Sequence, residues 1–108
     1  MANWTSNGAW VLSIRHSDID IDLLRCFRSV AEHGGFTAAS QALGLTQPAV
    51  SLKIQRLEQR VGARVFVRKS RALTVTPTGQ TLLLYAGHLL ALNDQMLRRQ
   101  TRSATGSA

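Results

Sequence analysis

Apolar residues recur at three- and four-residue steps in the first half of the chain, with glycines between the periodic segments. Before Gly34, the residues that share one helical face are Ile21, Leu24, Phe27, Val30 and Ala31. Asp20 can cap this first helix, which is expected to end near His33 because Gly34-Gly35 accepts the left-handed conformation of a helix stop.

Two further helices are predicted in the stretch FTAASQALGLTQPAVSLKIQRLEQRVG, residues 36 to 62. Thr37 is expected to cap a short helix over residues 38–43, and Leu45 in the following turn is expected to enter the core. Thr46 opens a third helix, with Pro48 in its first turn, where a missing N–H costs nothing. Its apolar stripe is Val50, Ile54, Leu57 and Val61. Two short helices joined by a tight turn predict a helix-turn-helix.

Residues 64–68 and 73–76 are rich in β-branched residues and predict two short strands. The polar segment 69–72 would join them as a turn. A hairpin after the third helix makes the predicted fold mainly α, a winged helix-turn-helix over residues 18–76.

Thr76-Pro77 predicts the start of a fourth helix over residues 77–100. Leucines and methionine repeat there at seven-residue intervals, with Ala86 and Asn93 between the two rows. The predicted dimer interface is Leu82, Leu83, Ala86, Leu89, Leu90, Asn93, Met96 and Leu97. A partner helix is one way to bury this seam, and folding back on the same domain is the alternative.

The charge balance favours a polyanionic partner. The chain has a net charge of +7 and a pI near 11.4, and residues 53 to 71 hold seven basic residues against the single acid Glu58. Nucleic acid and an anionic membrane surface both fit this imbalance, and a merely solvated basic face is the alternative. No segment is long and apolar enough to span a bilayer, so no transmembrane helix is predicted, and a membrane is not among the expected partners.

The sequence contains little that would indicate a metal site or an enzyme. Cys26 stands alone in an apolar helical pattern, which predicts a buried thiol in a reducing compartment, and the three histidines are too far apart for a metal site. No nucleophile–base pair, paired carboxylate or phosphate-binding glycine loop indicates an enzyme. Residues 1–17 are expected to be a flexible arm, and residues 101–108 a disordered tail.

Taken in order, these segments resemble the N-terminal DNA-binding domain of the LysR-type transcriptional regulators. The resemblance covers about residues 19 to 93 and is carried by FTAASQALGLTQPAVSLKIQRLE, VGARVFVRKSRALTVTPTG and the long helix. It implies sequence-specific binding to double-stranded DNA, with residues 47–61 in the major groove and residues 65–76 at the minor groove. The long helix would be a dimerising linker helix, so the target would be an interrupted inverted repeat.

The resemblance also implies roles for individual residues. The residues expected to contact bases are Gln47, Pro48, Ser51, Leu52 and Arg71. Those expected to contact phosphate, some from charge and some from the resemblance, are Thr37, Thr46, Lys53, Arg56, Arg64, Arg68 and Lys69. Leu52 departs from the family, in which a long polar or basic residue is frequent, but a leucine can pack on a thymine methyl.

Family members continue into an effector-binding module that this chain lacks, so the chain is expected to be a fragment without a cofactor. The full-length protein is expected to respond to a small-molecule effector, to act in the bacterial cytoplasm at the nucleoid, and to have RNA polymerase as a candidate partner. Two alternatives stay open. One is a winged helix that binds proteins, which would present an apolar or acidic outer face; the other is a winged-helix repressor of another family, which would lack the leucine rows.

Overall fold

The computed structural model describes the backbone of residues 18–107 and the side chains of residues 18–100. Four helices and one two-stranded sheet follow one another in this part of the chain. They are α1 (Ile21–His33), α2 (Phe36–Leu43), α3 (Gln47–Val61), β1 (Phe66–Lys69), β2 (Ala72–Val75) and α4 (Pro77–Ser107). The predicted winged helix-turn-helix is confirmed, whereas the arm predicted over residues 1–17 lies outside the described residues.

Helix α1 supplies the centre of the core. Its buried apolar residues are Leu23, Leu24, Cys26, Phe27 and Val30. Asp20 occupies the N-cap position, although its side chain makes no capping hydrogen bond and only its carbonyl accepts from the first turn. Gly34 ends the helix at φ 74°, and its N–H donates to the carbonyl of Val30 at 2.9 Å.

Helix α2 differs from its prediction in where it begins. It starts at Phe36, with Gly35 at the N-cap, so Thr37 lies inside the first turn and does not cap the helix. Phe36 is the first residue of the helix, and its ring packs on Phe66, with ring centroids 6.1 Å apart. Leu45, expected in the core, is 38% exposed because the turn between α2 and α3 runs over the surface.

Helix α3 follows its predicted pattern closely. Thr46 caps it, with its hydroxyl oxygen accepting from the N–H of Ala49 at 3.2 Å, and Gly62 ends it at φ 82°. The predicted stripe faces inward: Val50, Ile54 and Leu57 are buried, and Val61 is half-buried. The stripe leaves the other side of the helix to solvent.

The wing is a tighter hairpin than predicted. Its strands pair antiparallel from Phe66 opposite Val75 to Lys69 opposite Ala72, so the loop is only Ser70-Arg71 and the strands are offset from the predicted 64–68 and 73–76. Both loop residues have positive φ, 50° and 70°. This is the geometry in which a two-residue turn matches the twist of its strands, and the missing glycine concealed it in the sequence.

Helix α4 is anchored to the root of the wing. The Thr76 hydroxyl donates to the carbonyl of Arg64 at 2.7 Å and accepts from the N–H of Gly79 at 3.0 Å, which confirms Thr76 as the cap. Gly79 packs so closely here that a Cβ would lie 2.5 Å from the carbonyl oxygen of Val65 and 2.7 Å from Val75 Cγ1. This position therefore requires glycine for close approach.

The end of α4 also differs from its prediction. The helix continues to Ser107 and does not stop near Gln100, so the expected disordered tail is helical over most of its length. Neither proline nor glycine interrupts residues 101–105, so the backbone hydrogen bonds can continue.

Gly79→Ala should lower the free energy of unfolding by about 1–3 kcal/mol, since the added methyl group meets backbone atoms that cannot move aside. Gly87→Ala on the same helix is the matched control. A Cβ there meets nothing within 4 Å, and alanine is the better helix former, so this variant should gain about 0.5–1 kcal/mol. Urea unfolding of both variants measures the difference, and equal values would contradict the close approach.

Candidate nucleic-acid interface

The solvent-facing side of α3 carries four of the residues predicted to contact bases. Gln47, Pro48, Ser51 and Leu52 are all exposed and lie in the first two turns of the helix. Their shared face is opposite the buried stripe. The structure thus brings these four residues together, while the fifth, Arg71, lies on the wing.

Further polar residues extend this face and were left out of the predicted site. Gln55 and Gln59 are exposed at four-residue steps from Ser51, and Arg60 is exposed on the neighbouring flank, four residues after Arg56. That spacing was the signal in the sequence that would have added them. The exposed face of α3 is therefore longer than the predicted site.

The starts of α2 and α3 lie next to each other. The Thr37 hydroxyl donates to Gln47 Oε1 at 3.4 Å, which joins the two helix N-termini across the turn. Thr46 stands at the same end, and its side chain caps α3. The first N–H groups of each helix have no acceptor within their own helix, so this corner presents backbone donors of the kind that bind phosphate.

Lys53 lies on the flank of α3 that faces α1. Its ammonium forms an ion pair with the carboxylate of Asp22 in the first turn of α1. The Lys53 side chain is 25% exposed and that of Asp22 is 67% exposed. Lys53 is therefore already paired within the domain, and its contact with phosphate stays a prediction.

Glu58 fixes the wing to the end of α3. Its side chain is only 17% exposed, and Oε2 accepts from the N–H of Val65 at 2.9 Å and from Arg64 Nε at 3.2 Å. Arg64 remains largely exposed, but part of its charge is compensated by this pair. The single acid of the basic segment thus connects the end of α3 with the wing.

The outer end of the wing is basic. Arg68, Lys69 and Arg71 are exposed, and among the described side chains no acid pairs with them or with Arg56. A groove of about 680 Å³ separates the wing from α3, with Ser51, Gln55, Arg64 and Arg68 among its polar lining residues. The exposed polar face of α3 and the basic wing therefore border one continuous surface.

Helix α4 divides its predicted seam between two faces. The structure buries Ala86 and Leu90 in the domain, half-buries Leu82, Leu83 and Asn93, and leaves Leu89, Met96 and Leu97 exposed. Assigning Ala86 and Leu90 to a dimer interface was wrong, because both are fully buried in the core of the domain itself. We call the exposed apolar side the α4 stripe; it consists of Tyr85, Leu89, Leu92 and Met96.

An ion pair also connects α4 with α1. Arg25 Nη2 donates to Asp94 Oδ1 at 3.2 Å, and both side chains are partly exposed. This hydrogen bond is the main reason why the pKa of the Asp94 carboxyl lies below its ordinary value. The pair lies on the side of α4 that faces the domain, away from the α4 stripe.

The described residues contain no cluster of three or more histidine, cysteine, aspartate or glutamate side chains that could hold a metal ion. Cys26 is buried, and desolvation raises the pKa of its thiol, so it remains protonated and serves as a small apolar residue. None of the helices over residues 18–107 combines the length and apolar character that a bilayer span needs.

The family described as "Bacterial regulatory helix-turn-helix protein, lysR family" matches residues 21–80. The chain belongs to this family. Because its relatives are transcriptional regulators, the expectation that it is not an enzyme is confirmed.

Two relatives illustrate the extent of the similarity. A probable RuBisCO transcriptional regulator from Cyanidioschyzon merolae is 42% identical over 78 residues, which is 72% of this chain and 26% of the relative. The HTH-type transcriptional regulator PecT from Dickeya dadantii is 44% identical over 78 residues, 72% of this chain and 25% of PecT. The LysR-family chain thus spans about a quarter of the length of these relatives.

Solved LysR-family DNA-binding domains share the fold. The BenM domain in complex with catB site 1 DNA has a TM-score of 0.75 and 37% identity, covering 80% of this chain and 97% of that one. The CbnR domain in complex with DNA has a TM-score of 0.72 and 29% identity, covering 80% and 99%. Both matched structures are complexes with DNA.

Glu58→Ala should free the wing from α3. The variant leaves the N–H of buried Val65 without its acceptor, which should cost about 1–3 kcal/mol of stability and speed hydrogen exchange at that amide. Glu32→Ala is the matched control, since Glu32 is exposed and its oxygen lies 4.0 Å from Arg28; its effect should stay within about 0.5 kcal/mol. Unchanged exchange at Val65 in Glu58→Ala would show that Glu58 does not hold the wing.

Proposed function

We propose that this domain gives a LysR-type transcriptional regulator its sequence-specific binding to double-stranded DNA. Residues 47–61 enter the major groove and residues 65–76 approach the minor groove. The observation that carries this proposal is the exposed polar face of α3 beside a basic wing whose Arg68, Lys69 and Arg71 have no acidic partner among the described side chains. The DNA complexes of the similar BenM and CbnR domains support it.

Base recognition is assigned to the first two turns of α3. The Gln47 amide can both donate and accept a hydrogen bond, which suits an adenine edge. The Ser51 hydroxyl can form hydrogen bonds with several bases and therefore discriminates weakly between them. Leu52 is 45% exposed and can pack on a thymine methyl, with Pro48 beside it. Arg71, at the tip of the wing, extends recognition into the minor groove.

Affinity is assigned to phosphate contacts around this centre. The helix N-termini at Thr37 and Thr46 supply backbone N–H groups. The exposed basic residues that supply charge are Arg56, Arg64, Arg68 and Lys69. Because this attraction releases counterions, binding should weaken steeply with salt.

Dimerisation is assigned to the α4 stripe. Tyr85, Leu89, Leu92 and Met96 follow one another at four- and three-residue steps and are all about half exposed or more. A second copy of α4 would bury this row, and symmetric pairing would place two recognition helices on an interrupted inverted repeat.

Gln47→Ala should weaken binding to the preferred DNA by about 1–3 kcal/mol and relax the preference at one base pair. Arg56→Gln is the contrasting variant: it should weaken all duplexes to a similar degree, because a phosphate contact carries no sequence information. Selection from a random duplex pool, followed by titration of the enriched sequences, measures both quantities. If Gln47→Ala kept the base preference of the original domain, the role proposed for Gln47 in base recognition would be wrong.

Leu89→Glu should weaken the dimer at least about tenfold, since a buried leucine contributes about 1.5–3 kcal/mol and a charge would replace it. Ala91→Glu, exposed and outside the α4 stripe, is the matched control and should leave association unchanged. Sedimentation equilibrium over a concentration series separates the two. A dimeric Leu89→Glu variant would place the interface elsewhere.

The same proposal covers the intact regulator. It would act at the nucleoid in the cytoplasm, respond to a small-molecule effector bound outside this domain, and contact RNA polymerase at its promoters. A winged helix that binds proteins is the competing function, and exposed Leu52 is the one feature in its favour. Enrichment of an interrupted inverted repeat in the duplex selection would decide for DNA; failure of all duplexes to bind would decide against it.

A further inference from the structure

Lys53 belongs to a basic flank of α3 whose other members are unpaired. Lys53, Arg56 and Arg60 follow one another at three- and four-residue steps, so they share one side of the helix, next to the base-contacting face. Among the described side chains, no acid pairs with either arginine. Lys53 alone on this flank is neutralised, by Asp22.

The partner of Lys53 is well placed to oppose DNA. Asp22 is 67% exposed and lies in the first turn of α1, against the same flank of α3. A DNA backbone running along this flank would meet a carboxylate as well as an ammonium. Even if Lys53 turned from Asp22 to a phosphate, the carboxylate would be left unpaired beside the polyanion, so the pair as a whole adds no net charge to binding.

We propose that Asp22 masks Lys53 as a DNA-backbone contact and thereby limits the affinity of the domain for any duplex. This inference rests on the DNA binding proposed above. It assigns to Asp22 a role in setting affinity, and it explains why the basic flank provides fewer effective charges than the sequence suggests. Base recognition by Gln47 and Ser51 is unaffected, because their face of α3 does not include the pair.

The number of phosphates that a protein neutralises can be read from the salt dependence of binding. Each additional contact steepens the plot of log K against log salt by about 0.9. Unmasking Lys53 should add about one such contact. At about 100 mM salt, this slope corresponds to roughly eightfold tighter binding of a duplex of arbitrary sequence.

The first test is Asp22→Asn, measured by fluorescence anisotropy on one arbitrary duplex between about 50 and 200 mM salt. The expected result is a slope steeper by about 0.9 and binding roughly eightfold tighter at about 100 mM salt. Asp18→Asn is the matched control: it changes the net charge equally at an exposed acid that has no basic partner among the described side chains, and should alter the slope little.

The second test separates the release of Lys53 from the loss of a repelling carboxylate. In Asp22→Asn/Lys53→Gln the slope should return to that of the original domain, because no freed ammonium remains. If the double variant kept the steeper slope, repulsion by Asp22 would be the cause and the masking of Lys53 would be wrong. Thermal unfolding of each variant shows whether the fold is retained.

The outcomes distinguish this inference from the proposed function. If the original domain and Asp18→Asn bind DNA and Asp22→Asn has the same slope as both, Asp22 does not mask Lys53, while DNA binding stands. If none of the three proteins shows salt-sensitive binding, the proposed function itself fails.

Discussion

The ring of Phe27 lies at the centre of the domain without solvent exposure, and the ring of Phe66 packs against it with centroids 5.3 Å apart. The ring of Phe36 also packs on Phe66, with centroids 6.1 Å apart, so three rings join α1, α2 and the root of the wing. The position of every exposed element depends on this contact. With α1 fixed at the centre, α3 can bury only its stripe of Val50 and Leu57, and its polar face must point outward.

Features governed by local rules were predictable from the sequence. The glycine stops, the caps at Thr46 and Thr76 and the buried stripe of α3 depend on residues a few positions apart, and the structure has them as expected. The wing turn is equally local, but Ser70 and Arg71 adopt positive φ without the glycine or asparagine that usually marks such a turn. The predicted bounds of the two strands consequently differ from those in the structure.

The faces of α4 could not be separated by periodicity alone. Rows spaced by seven residues predict that a helix has an apolar seam, but they do not tell which surface covers it. The structure buries Leu90 in the core of the domain and leaves Leu89 exposed, although the two are adjacent in sequence. A helix that packs on its own domain and also offers a second apolar face needs two overlapping patterns, which were interpreted as one.

The ion pairs between helices could likewise not be predicted from the sequence. Asp22 and Lys53 are 31 residues apart, and Arg25 and Asp94 are 69 apart, so neither pair follows from helical spacing. Counting basic residues between positions 53 and 71 therefore overestimates the charge that the surface presents. The fold, by bringing Asp22 of α1 against Lys53 of α3, determines which of those charges remain available.

The joint at Thr76 has a mechanical consequence. Thr76 bonds through its N–H to Val65 and through its hydroxyl to Arg64, while α4 begins one residue later, so the wing root and α4 turn together as one stiff body. In a symmetric pair of domains joined through α4, as proposed above, a small change in the angle at which the two α4 helices cross would move both wings and both α3 helices through an arc. In such a pair, motion at a distant part of the regulator would alter the separation of the two α3 helices without any change inside either domain.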